Sequence, residues 1–259
     1  MTGNDFPRVA ERPASHNLTH VPLLEIPGWD EFGVVAGITE RVEGFSLGLN
    51  SPEPAATITA NWRAFRAAMR PRFTAFVLGL QCHDTEIAVH DRPSTGWTVL
   101  DDIDGHVTGA PGLLLTVTVA DCVPCYLAHP GTGTLGLLHA GWRGTAKGII
   151  EKGISALATR ASCSSGEILI HFGVSVCESC YEVGSEVARQ VSGTVPEGAT
   201  HLNLRRELAL RARALGVRQI TMSTWCTAHD GRRFHSHRRD GSRAGRGIAY
   251  LGRPRGLEG

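Results

Sequence analysis

The chain has 259 residues, 42% hydrophobic and 20% charged, with a formal net charge of +1. That composition supplies one sizeable core, and no run approaches the roughly 20 apolar residues of a membrane span. Near-neutral charge excludes a global attraction to nucleic acid, and seven cysteines in a chain too long to need staples point to reduced thiols and a soluble, cytoplasmic protein.

Residues 1–20, MTGNDFPRVAERPASHNLTH, have no apolar period, contain Pro7 and Pro13, and lack the basic-then-apolar pattern of a signal peptide. They are expected to be a loose arm ahead of a single domain over 21–259. Residues 33–39 read as a first strand and 41–46 as a loop. Ile58, Trp62, Phe65 and Met69 recur at helical spacing, which predicts an amphipathic helix over 55–70 stopped by Pro71. Strands then dominate to Ala140. Gly141-Trp142-Arg143-Gly144 opens a helix over 145–160 capped by Thr145. A strand over 167–174, helices over 185–192 and 204–215, and a last strand over 217–223 lead into a loop-rich basic tail. Strands arriving in runs predict an α+β fold, with mixed or packed β-sheets flanked by helices.

The chemistry concentrates in TVTVADCVPCYLAHPGTGTLGLLHAGWRG, residues 116–144, which sets Cys122 and His139 into two apolar runs joined by a Gly-rich turn. His83, in Gln81-Cys82-His83-Asp84, follows another apolar run. One thiolate and two imidazoles give Zn²⁺ three ligands and an open fourth position, the arrangement of catalytic rather than structural zinc. Spacing alone also allows a structural site from Cys122-x-x-Cys125 and Cys177-x-x-Cys180. The Val-Pro between the first pair lies in an apolar run and reads as buried strand, which leaves Cys125, Cys177 and Cys180 as small buried hydrophobes. His90, His106 and His129 are rival imidazoles that no motif places. Residues 205–255 carry 13 Arg against Glu207, Asp230 and Asp240. This is a solvated basic face or an anion pocket, since Arg forks match phosphate bidentately.

The motifs LQCHD, ADCVPC, HAGWRG, CYEVG and SHRRDG-x-x-x-GR, over about 32–252, resemble the YfiH-like family. Its members are labelled laccase-domain or multicopper polyphenol oxidases and described as purine nucleoside phosphorylases with adenosine deaminase activity. The resemblance implies a YfiH-like single domain with Zn²⁺, or alternatively Cu²⁺, held by His83, Cys122 and His139 as metal ligands and catalytic centre. The implied partners are a small-molecule purine nucleoside and phosphate, with no nucleic acid and no membrane, in a monomer or homodimer. Arg41, Arg143, Glu182, Arg238 and Arg239 fall on or beside family motifs as candidates for substrate and phosphate binding, with Glu182 as a proton shuttle. Where relatives carry Gln-Val-His-Gly, this chain has Gln81-Cys82-His83-Asp84.

Two other enzymes remain open at this level. A copper-dependent polyphenol oxidase needs a His-rich trinuclear cluster, and His235-x-His237 stands alone. A metal-independent cysteine hydrolase or amidase, acting in peptidoglycan-precursor editing as linked to relatives, would use Cys122 as nucleophile and His139 as base. A structural zinc module that binds partners is the non-enzymatic reading.

Overall fold

Alternation along the strands decides the layers. In Val123–His129, Val123, Cys125 and Leu127 join one apolar cluster while Tyr126 and Ala128 join another. In Ala75–Leu80 the division repeats, with Ala75 and Val77 on one side and Phe76 and Leu78 on the other. A strand apolar on both faces must be covered on both faces. The structure, a computed structural model, describes residues 6–14, 22–92 and 94–256 and meets that requirement with two seven-stranded sheets stacked between helices.

The first sheet runs Arg8–Val9, Gln219–Ser223, Leu169–Phe172, Val123–His129, Thr134–Ala140, Gly105–Thr108, Ile87–His90. The second runs Arg12–Pro13, Leu23–Glu25, Val35–Thr39, Gly247–Gly252, Leu113–Val119, Ala75–Leu80, Gly96–Asp101. Both mix parallel and antiparallel pairs. Between them, Leu135 and Leu137 of the first meet Leu115, Val117 and Leu251 of the second, and Tyr126 reaches across to donate to Gly37 O at 2.7 Å. Helix Ala55–Met69 covers the outer face of the second sheet with the predicted stripe Ile58, Trp62, Phe65 and Met69. Helices Ile149–Ala161, Ser185–Ser192 and Leu204–Ala214 cover the outer face of the first. The α+β expectation of packed mixed sheets flanked by helices therefore describes the architecture. All seven cysteines are free thiols, and no helix among the described residues is long and apolar enough to cross a membrane.

Three expectations need correction. Residues 6–14 are not a loose arm: Phe6 is in the core, Arg8–Val9 pairs with Met222–Ser223, and Arg12–Pro13 pairs with Leu24–Glu25. The buried Glu11 carboxylate accepts from Ser223 Oγ at 2.7 Å and meets His171 Nε2 at 3.1 Å. Two-residue pairings and one buried carboxylate leave no apolar period to read; residues 1–5 and 15–20 lie outside the described residues. The helix expected over 145–160 is two helices, Trp142–Lys147 and Ile149–Ala161, broken at Gly148 with φ +89. Thr145 is inside the first of them, its hydroxyl donating to Gly141 O at 2.8 Å. Finally, the basic tail is not all loop, because Gly247–Gly252 is a fully buried strand between Val35–Thr39 and Leu113–Val119.

Candidate active site

Both sheets deliver the site. Cys122 precedes Val123–His129 at a corner where Asp121 has φ +93. His139 lies on the neighbouring strand Thr134–Ala140, opposite Pro124. His83 comes from the other sheet, just past Ala75–Leu80, with φ +63. One ligand atom from each of these three side chains lies within 4.8 Å of the others, and the His83 and His139 rings stand edge to face at 4.9 Å. A soft thiolate with two imidazoles at that spacing fits Zn²⁺. Gly141 keeps the space clear, since a Cβ there would stand 3.0 Å from both Cys122 Sγ and His83 Cδ2. Its φ of −81 suits any residue, so Gly141→Ala meets only this crowding. The variant should fold and lose roughly 10–100-fold in zinc affinity. A competition titration against a colorimetric chelator checks this, and wild-type affinity would show that the thiol and ring have room to spare.

The organising group is Asp104, which no motif signals. Its fully buried carboxylate accepts from the backbone N–H groups of Cys82, His83 and Asp84 at 3.0, 3.1 and 2.9 Å, and from His139 Nδ1 at 2.8 Å. Burial alone would raise this carboxyl, but the hydrogen bond and charge of His139 and the N–H donors hold it at about 2. With Nδ1 committed, His139 turns Nε2 to the site, as a carboxylate does for a zinc-bound histidine. The same three N–H bonds offset the left-handed backbone of His83, a conformation that costs about 1–3 kcal/mol in a non-glycine residue. His83 rather than Asp84 takes the positive φ, and the Asp84 carboxylate pairs with Lys147 Nζ at 2.6 Å.

Cys122 and His139 act on each other. Burial pushes the thiol up, yet the His139 charge and hydrogen bonds from His139 and His83 bring it down to about 6. Burial pushes His139 down, while the Cys122 thiolate and Asp104 lift it to about 9. In the metal-free protein Cys122 should therefore be thiolate above pH 6, and its alkylation by iodoacetamide should rise with pH through about 6 rather than 9.0. Peptide mass spectrometry across pH 4–10 reads this; a midpoint near the ordinary thiol value would remove the pairing.

His83, Cys122 and His139 open into a cavity of about 550 Å³. Arg143 and Arg238 line it, stacked on Trp142 at 4.4 Å and Tyr181 at 5.1 Å, and neither guanidinium has a carboxylate partner among the described residues. Trp142 both lines the cavity and packs against the core. His237 and Arg246 also line it, and the first stands inside SHRRDG, where a signal was available. Asp121 does not offer a free carboxylate, since its oxygens accept from Thr227 Oγ1 at 2.5 Å and Arg238 N at 2.6 Å.

Other candidates fall elsewhere. Arg41 lines a separate cavity of about 490 Å³ with Asp240, and donates to Gly231 O. Glu182 is exposed on a short strand and outside the cavity at His83, Cys122 and His139. Arg239 donates to Thr227 O and Phe234 O and pairs with Asp240, so it braces the tail. His90 meets His106 at 3.1 Å and His129 binds Thr132, away from the three ligands. Cys125 is a core residue, but Cys177 and Cys180 are half-exposed and grouped with Cys226 and His229, not buried hydrophobes. Motif adjacency brought Arg41, Glu182 and Arg239 forward, and none of them lines the cavity at His83, Cys122 and His139.

Fold and site together define a two-sheet α+β protein with an open Cys-His-His centre where the sheets meet. The chain belongs to the multi-copper polyphenol oxidoreductase laccase family, whose model matches residues 33–253. It is 30% identical over 248 residues to the purine nucleoside phosphorylase YlmD of Geobacillus stearothermophilus, covering 85% of this chain and 90% of that one. A purine nucleoside phosphorylase of Deinococcus radiodurans is 31% identical over 252 residues, covering 91% and 94%. Among solved structures, YlmD from Geobacillus stearothermophilus superposes with a TM-score of 0.85 at 28% identity, covering 95% of this chain and 100% of that one. The Bacillus licheniformis protein YfiH gives 0.79 at 26% identity, covering 89% and 96%.

Proposed function

We propose that the protein is a zinc-associated purine nucleoside phosphorylase working in the cavity around His83, Cys122 and His139. The observation that carries this reading is the meeting, in one cavity, of a three-ligand centre with an open side and two guanidiniums without carboxylate partners. Its relatives' names point the same way. Phosphorolysis forms a bond from a phosphate oxygen to the ribose C1′ while the C1′–N9 bond breaks and its electron pair leaves with the purine. Arg143 and Arg238 hold the phosphate. Tyr181, kept neutral by burial with its phenol raised to about 12, walls the cavity, and His237 gives the proton that the leaving base needs. Bound to the two imidazoles and the thiolate, Zn²⁺ would supply a Lewis-acid contact for a substrate heteroatom. In hydrolytic deamination of adenosine at the same centre, water would add to C6 and the amino group leave as ammonia, with His237 passing the water's proton to it, since Glu182 lies away and Asp121 is committed.

The test is purified protein with inosine or adenosine and inorganic phosphate, read as free base and ribose 1-phosphate. Arg143→Ala and Arg238→Ala should each raise KM for phosphate by roughly 10-fold or more, the worth of one charge-assisted hydrogen bond. If wild type leaves both nucleosides intact, zinc-loaded and zinc-free, the reading is wrong. Copper-based oxidation is less well supplied, because the other ligand group among the described residues is three thiols and one imidazole. The cysteine-hydrolase reading gains one observation, the Asp104–His139 bond at 2.8 Å, which completes a Cys-His-Asp array. Activity that survives chelation and dies on alkylation would favour it.

A further inference from the structure

Behind the wall of the cavity, the half-exposed Cys177 and Cys180 meet the buried Cys226 and the exposed His229. All four ligand atoms lie within 4.8 Å of one another, and Cys177 Sγ is 3.5 Å from His229 Nδ1. Zn–S and Zn–N bonds of about 2.3 and 2.0 Å in a tetrahedron put sulfur and nitrogen roughly 3.5 Å apart. The residues come as two short half-sites, Cys177-x-x-Cys180 around a tight turn and Cys226-x-x-His229. Both turns are wired for sulfur: Cys226 Sγ accepts from the backbone N–H of Cys177 at 3.3 Å and of His229 at 3.5 Å. A bridge between Ser175 and Cys226, and a bond from Thr227 N to Ser175 O at 3.2 Å, hold the half-sites in register. None of the three cysteines belongs to an apolar cluster, so core packing does not account for the grouping.

We propose that Cys177, Cys180, Cys226 and His229 form a second, structural Zn²⁺ site. Three sulfurs and an imidazole select zinc over hard cations and close the tetrahedron, leaving no position for substrate. The site joins two segments that shape the cavity. Tyr181 follows Cys180, and Thr227, next to Cys226, donates to Asp121, the residue before Cys122. A metal here pins the cavity wall without touching the reaction.

The experiment counts metal in the full chain, produced with zinc and purified without chelator. Cys122→Ala removes a ligand of the first centre, so zinc retained by that variant reports the second. About one zinc per Cys122→Ala chain is expected, with X-ray absorption showing about three sulfurs near 2.3 Å and one nitrogen near 2.0 Å. Wild type should carry about two if the first centre also holds zinc and about one if it does not, so failure of either site is told apart from failure of the other. Cys180→Ser with Cys226→Ser should lose this zinc; should that variant fail to fold, the absorption spectrum of Cys122→Ala still decides. A Cys122→Ala chain without zinc, zinc in a shell poor in sulfur, or a Cys177–Cys180 disulfide in the protein as purified would overturn the proposal.

Discussion

Cys122→Ala should abolish the proposed nucleoside phosphorolysis while leaving the fold standing. Cys122 is at the rim of the cavity and its loss removes a single sulfur, so no large void opens in either core. What it removes is the one anionic ligand of the three, and with it the balance of charge that keeps His83 and His139 facing each other across the site. A Lewis-acid contact contributes several kcal/mol to a transition state, so kcat/KM should fall on the order of 10²- to 10³-fold or more. His139→Ala should lower turnover to a similar extent, and because it also takes from the buried Asp104 carboxylate its 2.8 Å hydrogen bond it should, unlike Cys122→Ala, lower the melt. The measurement is base release with phosphate saturating, beside a urea melt of each variant. A variant that melts like wild type and turns over within about 5-fold of it would remove Cys122 from the chemistry.

Asp104→Asn should damage both stability and metal binding, although Asp104 touches neither metal nor substrate. Holding its carboxyl at about 2 against an ordinary 3.8 contributes about 2 kcal/mol, present above pH 3.8 and lost as the pH falls through about 2. Asparagine keeps the shape but turns one acceptor into a donor, aimed at N–H groups that already donate. An unfolding free energy lower by roughly 2–4 kcal/mol is expected. Zinc affinity should fall roughly 10–100-fold, as for other partners that orient a ligating histidine. Urea melts with zinc and with chelator separate the two effects. If only the melt moves, Asp104 is scaffolding for the 82–84 turn and not the group that aims His139.

What could be read from the sequence was what repeats or has fixed spacing. Ile58, Trp62, Phe65 and Met69 mark one face of one helix, and strands arriving in runs pointed to packed or mixed sheets, so the fold class and a flanking helix were legible, whereas the division of 123–128 between two cores was hidden in a continuous apolar run. His83, Cys122 and His139 stood in motifs at strand ends, where a fold brings side chains together. Asp104 was invisible because its role arises only when the 82–84 turn folds over it from another sheet. Arg41, Glu182 and Arg239 erred the other way, since a motif position does not say which cavity a side chain enters. Cys226-x-x-His229 carried a ligand spacing of its own, obscured by the Arg-rich tail around it. Gly148 gave no sign of a break because glycine within a helical pattern is often tolerated.

The placement of Gly247–Gly252 governs how a ribosome can deliver this protein. Until that strand emerges, Val35–Thr39 and Leu113–Val119 have nothing between them, and the second sheet waits as two separate ribbons. The strands that carry His83, Cys122 and His139 pair within residues 75–140, so what waits for Gly247–Gly252 is the joining of Val35–Thr39 and its neighbours to that half of the sheet. A nascent chain halted before Gly247 would leave two bare strand edges, on Val35–Thr39 and on Leu113–Val119, open to other chains.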